Sequence, residues 1–558
     1  MTGATGDEAT SSIPGSTSPD QRYSFWSARN GGSLVIDGKE TQYFRYPDGH
    51  SELIGRGSLD SDPRADGKLI TEGAAHTIFQ TPPITGVKLE PDAPPTGTAA
   101  VYDRTIDLAT GAEETHTVSL LPGDVTPAAG QGAAYEGASK DGEGIAFSIG
   151  SKLYLRVGNE TTYEVGEGVE FAGVAKGGAR VFYAEGGDLK ALDTTTPTPE
   201  VIDFSSAGNI IPVNVSPDGT RAYFVSPSLL GGNNPEGDSA QAGEQNLYLS
   251  EEGAISFVAT VTDRDVEGAE TSDSILFDGL GLWTEVLSTQ LAKDPSRLNP
   301  DGSVLLFQSR AEITGYAASD SPQIYRYNSI DGDLQCISCI PTKTPAAGGA
   351  SLQTYTFDSL DPPPLSPNGY VSNLNPQGTR VIFESTEALV SADTDKVNDV
   401  YEWEAQGVGS CTRSEGCVYL ISSGQSERAD YLYGHSTSGD DVFFTTGDRL
   451  TGWDSAGGAI SIYDARVGGG FPEPNSEEPC VADGCRPLVT PTPPPPPIQS
   501  SAQARSGNLE PRKPRSCPKG KRKVKQNGKV RCVKKHKKQK GKSGKTKQRA
   551  GADRRAGK

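Results

Sequence analysis

Asn299–Ser309 reads NPDGSVLLFQS, and the fold follows from how that stretch must run. Pro300 pre-sets its own φ, Asp301 suits the next turn position, and Gly302 supplies a torsion that residues with a Cβ resist. A strand should follow. Counted from Gly302, Leu305 at +3 and Phe307 at +5 share one face of it, because strand side chains alternate.

Five further segments keep this register. SKDGEGIAFSI places Ile145 and Phe147 after Gly142, AKGGARVFYAE places Val181 and Tyr183 after Gly178, and SPDGTRAYFVS places Ala222 and Phe224 after Gly219. NPQGTRVIFES does the same with Val381 and Phe383 after Gly378, and STSGDDVFFTT with Val442 and Phe444 after Gly439. An apolar residue followed by tyrosine comes after most copies, at Leu153-Tyr154, Leu247-Tyr248, Ile324-Tyr325, Val400-Tyr401 and Ile462-Tyr463. The unit is therefore turn, strand, variable loop, strand, turn, strand. Where the loops are short its glycines recur at positions 142, 178 and 219, and a period of about 40 residues with several strands per unit is the spacing of propeller blades.

The S/N-P-D/Q-G-x-x-apolar-x-aromatic copies resemble the WD40-like PD40 repeats of TolB-type β-propellers. The resemblance is at the level of the repeat and runs from Pro19 to Pro487. It implies an all-β propeller of six to eight four-stranded blades, seven or eight favoured, with Velcro-type closure between the first and last. It also implies an extracytoplasmic location in bacteria and a role in binding. Trp453-Asp454, the one Trp-Asp pair, lies outside the repeat frame, which argues against the eukaryotic type of WD40 protein.

Composition agrees. Hydrophobic residues are only 34% of the 558, but 67 Gly and 40 Pro suit a protein of turns and short strands. No run of apolar residues is long enough for a membrane helix. The net charge of −20 hides a division. From Arg512 onward there are 22 lysines and arginines and one acid, Asp553, which leaves 30 basic and 71 acidic residues before it. An acidic body and a basic tail are two objects. The chain divides accordingly into a disordered leader (1–17), the propeller (18–487), a Pro-rich linker (488–511) containing TPTPPPPP, and a disordered Lys/Arg-rich tail (512–558). Within the body the repeat frame is lost over 66–120, and 263–296 and 343–370 read as insertions, the first either helical or covering a blade edge.

Eight cysteines fall into four close pairs, Cys336/Cys339, Cys411/Cys417, Cys480/Cys485 and Cys517/Cys532. Such spacing suits local disulfides, the last one clipping a small hairpin with Asn527-Gly528 as its turn. Each closes so short a loop that it contributes about 2 kcal/mol or less. Eight reduced thiols are the alternative. Cys336-x-x-Cys339 has no second Cys-x-x-Cys to complete a zinc site and sits in a β-hairpin rather than at a helix start. Four pairs point to an oxidising compartment, so the expected location is extracellular or at the cell surface. The first residues have neither a basic nor an apolar signal region, and that location carries with it the expectation of a start upstream of Met1.

Catalytic motifs fail individually. Gly544-Lys545-Thr546 lacks the leading glycine of a P-loop, because position 539 is Gln539, and no strand precedes it. Gly434-His435-Ser436 lacks the second glycine of a nucleophile elbow, since Ser438 stands there, and Ser436 belongs to a repeat turn. His50, His76, His116, His435 and His536 make no metal-binding pair. Acidic loops are the stronger signal. SADTDKVNDVYEWE places Asp393, Asp395, Asn398 and Asp399 before Val400-Tyr401, and Asp448 and Asp454 precede Ile462-Tyr463. Clustered carboxylates and an amide suit Ca²⁺, although the spacing is not that of an EF-hand; turn-forming, solvent-facing acids are the plainer account. No other cofactor is indicated. The tail suits an anionic envelope polymer or another polyanion, with nucleic acid less favoured for want of stacking aromatics, or it is a solvated tail. The expectation is a monomeric, non-catalytic binding or scaffold protein whose propeller face takes a protein or glycan. A propeller-fold polysaccharide lyase or hydrolase is the alternative.

Overall fold

The computed structural model describes residues 18–20, 22–28, 36, 41–107, 109–266, 296–340, 345–352, 373–454 and 460–470, and the backbone of 521–526 and 529–534. The leader, the Pro-rich linker and most of both insertions lie outside these residues.

The repeat turns share one backbone torsion. All six repeat glycines have φ between 66° and 82°, where a Cβ is strained. In five of the six, all but the Gly178 copy where Ala175 stands, the polar residue three places earlier ties the turn off by accepting from the backbone N–H five residues on. Asn299 accepts from Val304 at 2.8 Å, Ser216 from Arg221 at 2.9 Å, Asn375 from Arg380 at 2.9 Å, Ser139 from Gly144 at 2.9 Å and Ser436 from Asp441 at 3.0 Å. That is why the motif opens with serine or asparagine. The +3 and +5 residues of all six copies are buried.

Eight antiparallel sheets follow in chain order, each made of consecutive strands. Blade 1 has Ser24–Ala28, Thr41–Arg45 and Ser51–Leu53. Blade 2 has Asp66–Ile70, His76–Gln80, Val101–Ile106 and Glu113–Thr117. Blade 3 runs from Ala133–Ala138 to Thr161–Glu167, blade 4 from Glu170–Val174 to Glu200–Ser205, and blade 5 from Ile211–Val215 to Ala254–Val261. Blade 6 runs from Ser296–Leu298 to Asp333–Cys336 and blade 7 from Ala350–Ser351 to Cys417–Leu420. Blade 8 has Tyr431–His435, Asp441–Thr446 and Ser461–Arg466. The protein is an eight-bladed, all-β propeller. In blades 2, 3, 5, 6, 7 and 8 the second strand carries the repeat aromatic, the third carries the tyrosine, and the two lie opposite each other. Phe79–Tyr102, Phe147–Tyr154, Phe224–Tyr248, Phe307–Tyr325, Phe383–Tyr401 and Phe444–Tyr463 are stacked with ring centroids 5.3–6.1 Å apart, each pair worth about 0.5–1.5 kcal/mol beyond its burial.

One expectation needs correction, and two others turn partly on residues outside the described ones. The repeat frame is not lost in blade 2: Thr71 accepts from His76 N–H at 2.8 Å, Ala74 takes the glycine seat at φ 55°, and Phe79 follows at +5. Alanine hid the copy, since only the torsion marks it. Nor are all blades four-stranded among the described residues. Blade 1 opens on its second strand and blade 8 ends on its third. Finally, no described sheet mixes strands from the two ends of the chain, so the strand exchange implied by Velcro closure is not seen among the described residues.

The blades pack through apolar clusters shared by neighbours, such as Tyr223, Leu247, Leu305, Phe307 and Tyr325 between blades 5 and 6. Such clusters join each consecutive pair from 1–2 to 7–8. The arginine two places after the repeat glycine reaches across. Arg180 donates to Gly219 O at 2.7 Å, Arg221 to Asp301 O at 2.9 Å and Arg380 to Asp440 Oδ1 at 2.7 Å.

Arg380 also lies 3.7 Å from Glu402 and 3.3 Å from Glu404. Burial and Glu404 push Glu402 up to about 8, Arg380 pulls it down, and Asp440 adds to the rise. The folded chain therefore keeps a proton that the unfolded chain releases near 4.5. The stability due to that proton is complete below the lower value and is lost as pH rises through the upper one. Glu402→Gln should flatten this loss, melting above wild type at alkaline pH and close to it in mild acid. Parallel melting profiles for the two proteins would contradict the assignment.

Two of the four expected disulfides are formed, Cys336–Cys339 and Cys411–Cys417. The other two expected pairs, Cys480–Cys485 and Cys517–Cys532, are not among the disulfides of the described residues. Cys480, Cys485 and Cys517 lie outside those residues, and of Cys532 only the backbone is described, opposite Lys523 in a strand pair. That pair belongs to the basic tail, which is a separate unit. In it Lys521–Gln526 pairs with Lys529–Lys534, Gln526 opposite Lys529, which leaves Asn527-Gly528 between the strands as expected. The hairpin is thus formed by backbone pairing, and the covalent clip expected to hold it is not shown.

Candidate functional site

The loop 386–398 joins the second and third strands of blade 7, and the repeat tyrosine holds it. Leu389 N–H donates to the Tyr401 hydroxyl at 3.4 Å, and that hydroxyl donates to Asp393 Oδ2. Blade 8 repeats the arrangement, with Leu450 N–H to Tyr463 at 3.1 Å and Tyr463 to Asp454 Oδ2 at 2.6 Å. Blade 5 repeats the first half, Leu230 N–H to Tyr248 at 3.1 Å. Asp393 and Asp454 therefore share a loop-fixing role that needs no ligand. Asp448 has its own partner, the Ser423 hydroxyl at 2.5 Å.

Blade 7 adds two more carboxylates. Asp399 begins its third strand, two places before the tyrosine, and Asp395 lies in the loop. One ligand oxygen from each of Asp393, Asp395 and Asp399 lies within 4.8 Å of the others. Asp399 is 0% exposed and Asp393 7%. Asp399 Oδ1 accepts from the Ser422 hydroxyl at 2.5 Å and Gly424 N–H at 3.2 Å, and Asp395 Oδ1 accepts from Val397 N–H at 3.0 Å. Each acid keeps one buried oxygen without a hydrogen bond: Asp393 Oδ1, Asp395 Oδ2 and Asp399 Oδ2.

The same position in neighbouring blades is neutral and satisfied. In blade 5 it is Asn246, whose Oδ1 accepts from Gln241 N–H and the Thr260 hydroxyl, both at 2.9 Å, while its Nδ2 donates to Gln241 O and Glu244 O. In blade 6 it is Gln323, accepting from the Ser338 hydroxyl at 2.7 Å and donating to Gly348 O at 3.2 Å. Blade 7 keeps the framework, with Ser422 where Ser338 stands, and substitutes a charge.

Asn398, the fourth candidate, has its amide committed elsewhere. Its Nδ2 donates to Glu384 Oε2 at 2.7 Å and to Asp430 O at 2.8 Å. The Asp430 contact brings in a residue that sequence spacing could not show. Asp430 is 0% exposed and enters blade 8, and neither of its oxygens has a hydrogen bond of normal geometry. Burial pushes it up to about 8, the Thr446 side chain offsets part of that, and Asp399, Asp448 and Asp395 add to it. Burial likewise raises Asp399, the Ser422 hydroxyl opposing and Asp393 and Asp395 adding, and it raises Asp393.

No family model matches this chain. No curated protein matches it either. Solved structures that are similar include the tricorn protease, at 11% identity and TM-score 0.31 over 83% of this chain and 39% of that one. A protein described as TolB, from Agrobacterium tumefaciens, aligns at 14% identity and TM-score 0.25 over 57% of this chain and 89% of its own. Dipeptidyl peptidase 4 from Porphyromonas gingivalis aligns at 10% identity and TM-score 0.43 over 83% of this chain and 58% of its own. The chain thus spans under two thirds of either peptidase.

The described histidines occupy separate places. His50 stacks on Tyr46 and bonds Asp48 in blade 1, and His76 lies between Asp103 and Glu143 at the junction of blades 2 and 3. His116 meets the Thr105 hydroxyl in blade 2, and His435 is buried against Ser436 O in blade 8. Ser436, the elbow candidate, accepts from Asp441 N–H within its repeat turn. No helix among the described residues is long and apolar enough to cross a membrane.

Proposed function

We propose that this chain is a non-catalytic binding protein that works outside the reducing cytosol, its propeller face taking a protein or glycan and its basic tail an anionic polymer. What carries the reading is where the long loops leave the sheets. In blades 2 to 6 and 8 the connections from first to second strand are the repeat turns, and in blade 7 the repeat turn at Gly378 likewise leads into the second strand. The connections from second to third strand are long and dissimilar in six blades, spanning 29–40, 81–100, 227–244, 310–322, 386–398 and 447–460. Because strand directions alternate identically in every blade, all six leave the same end of their sheets. One end is thus standardised and the other variable, which is how a propeller separates scaffold from recognition surface. Leu229 and Trp453 stand exposed on that variable end, at 61% and 57%.

Two formed disulfides suit an oxidising exterior. The tail adds a non-specific attraction that falls steeply with salt. The test is capture from envelope fractions by the full chain and by a chain lacking 512–558, over a salt series. Salt-sensitive retention should fall with the tail while a salt-resistant partner stays with the propeller. Retention indifferent to the tail would remove the anchoring role, and no salt-resistant partner would remove the recognition role.

A further inference from the structure

We propose that Asp393, Asp395 and Asp399 form a calcium site that fastens the 386–398 loop of blade 7. Acids gathered in a loop are common and signify little alone. Here two of the three are more than nine-tenths buried, and each of the three keeps one buried oxygen to which nothing donates. Among the described residues no lysine or arginine forms an ion pair with any of them. Buried carboxylates facing one another without a countercharge are costly, and a cation bound between them removes the cost.

The chain shows how it builds this corner when no charge is wanted. Blades 5 and 6 place Asn246 and Gln323 at the position of Asp399, with their polar atoms paired. Blade 8 keeps the Asp454–Tyr463 contact but has Ser461 in place of Asp399, and its sequence has no acid between Asp454 and Ser461. The extra carboxylates are therefore not part of what the loop needs to fold. They are the departure from the repeat, and all three converge on one point.

Ligand chemistry selects the ion. The group offers only carboxylate oxygens, with neither the nitrogen nor the sulfur of a zinc site. A hard cation that accepts irregular oxygen ligands and fills its shell with carbonyls and water fits this better than Mg²⁺, which demands octahedral geometry and dehydrates reluctantly. The consequence lies in the loop. Thr394 N–H donates to Gly424 O at 2.8 Å, and Asn398 O accepts from Asp430 N–H at 2.7 Å. The bound ion would thus stiffen a loop that touches both the outer edge of blade 7 and the entry to blade 8. This inference does not depend on what the propeller recognises.

The experiment uses the full chain stripped with EDTA. Tb³⁺ replaces Ca²⁺, and the Tyr401 hydroxyl bonded to Asp393 places a sensitiser at the site. Tyrosine-excited Tb³⁺ emission should appear and be displaced by Ca²⁺. Millimolar Ca²⁺ should raise Tm by a few degrees, more than Mg²⁺ does at the same concentration. Asp395→Asn should lose both responses while melting in EDTA at or above wild type, because it removes a carboxylate from an uncompensated group. Asp399→Asn should behave alike, which guards against a folding defect peculiar to one variant. Equal wild-type melting in EDTA and Ca²⁺, or variants that respond as wild type does, would overturn the proposal.

Discussion

Gly302→Ala should cost the fold about 2–5 kcal/mol, summing about 1–2 for a Cβ in the left-handed region and about 1–3 for overpacking. Gly302 has φ 70°, and a Cβ there would fall 2.3 Å from the Ser216 Cβ and 3.2 Å from the Ser216 Cα. Ser216 is the capping residue of the preceding blade's turn, so the intruding atom meets a structure that cannot yield. The carbonyl of Gly302 also accepts from the Tyr223 hydroxyl at 3.0 Å, a second link between blades 5 and 6 that the same shift would stretch. Gly237→Ala supplies the control. Its φ is 90° but no atom lies within 4 Å of its missing Cβ, so only the torsional term acts, about 1–2 kcal/mol. Denaturant melts of the two variants separate strain from inter-blade contact. Equal losses would show that the repeat glycine is kept for its torsion alone.

Glu384→Ala should have the next largest effect, about 3 kcal/mol, and a localised one. Glu384 is 2% exposed and bridges the last two blades. Its Oε1 accepts from Leu432 N–H at 2.6 Å and its Oε2 from Asn398 Nδ2 at 2.7 Å. Truncation leaves the buried Leu432 N–H without that acceptor and removes one of the two acceptors of Asn398 Nδ2, which keeps only Asp430 O. The apolar cluster joining blades 7 and 8, with Ile382, Val400, Leu432, Val442 and Phe444 buried, is smaller than the one between blades 5 and 6. Amide exchange in Tyr431–His435 and Asp441–Thr446 should therefore rise well before that of blades 3 to 5. Uniform acceleration across the propeller would mean that Glu384 supports the whole fold and not the attachment of its last blade.

Some of this architecture was legible because it is local. A turn that demands a positive φ must be written as glycine, and a strand with one buried face must alternate, so Gly302, Leu305 and Phe307 announce themselves. Ala74 shows the limit. It adopts the same torsion at φ 55° without the residue type that signals it, and the blade 2 copy stayed hidden. The arginines that follow Gly178, Gly219 and Gly378 are just as regular in sequence, yet nothing local says that each reaches into the next blade.

The acidic site divides along the same line. Asp393, Asp395 and Asp399 are close in sequence, and that proximity was readable as a candidate. Whether they were surface acids depended on burial, which their spacing does not encode. Asn398 looked equivalent to them, but its amide turns to Glu384 and Asp430. Asp430 itself lies beyond the intervening hairpin and reaches the group only because blade 8 packs on blade 7.

The order of residues determined the repeat and its register, because each depends on torsions and alternation within a few positions. Tertiary structure alone decided the number of blades, the gathering of variable loops at one end, and which carboxylate oxygens are left buried without a hydrogen bond. Those depend on what the neighbouring blade places against a side chain, and desolvation is a property of that packing and not of the chain taken segment by segment.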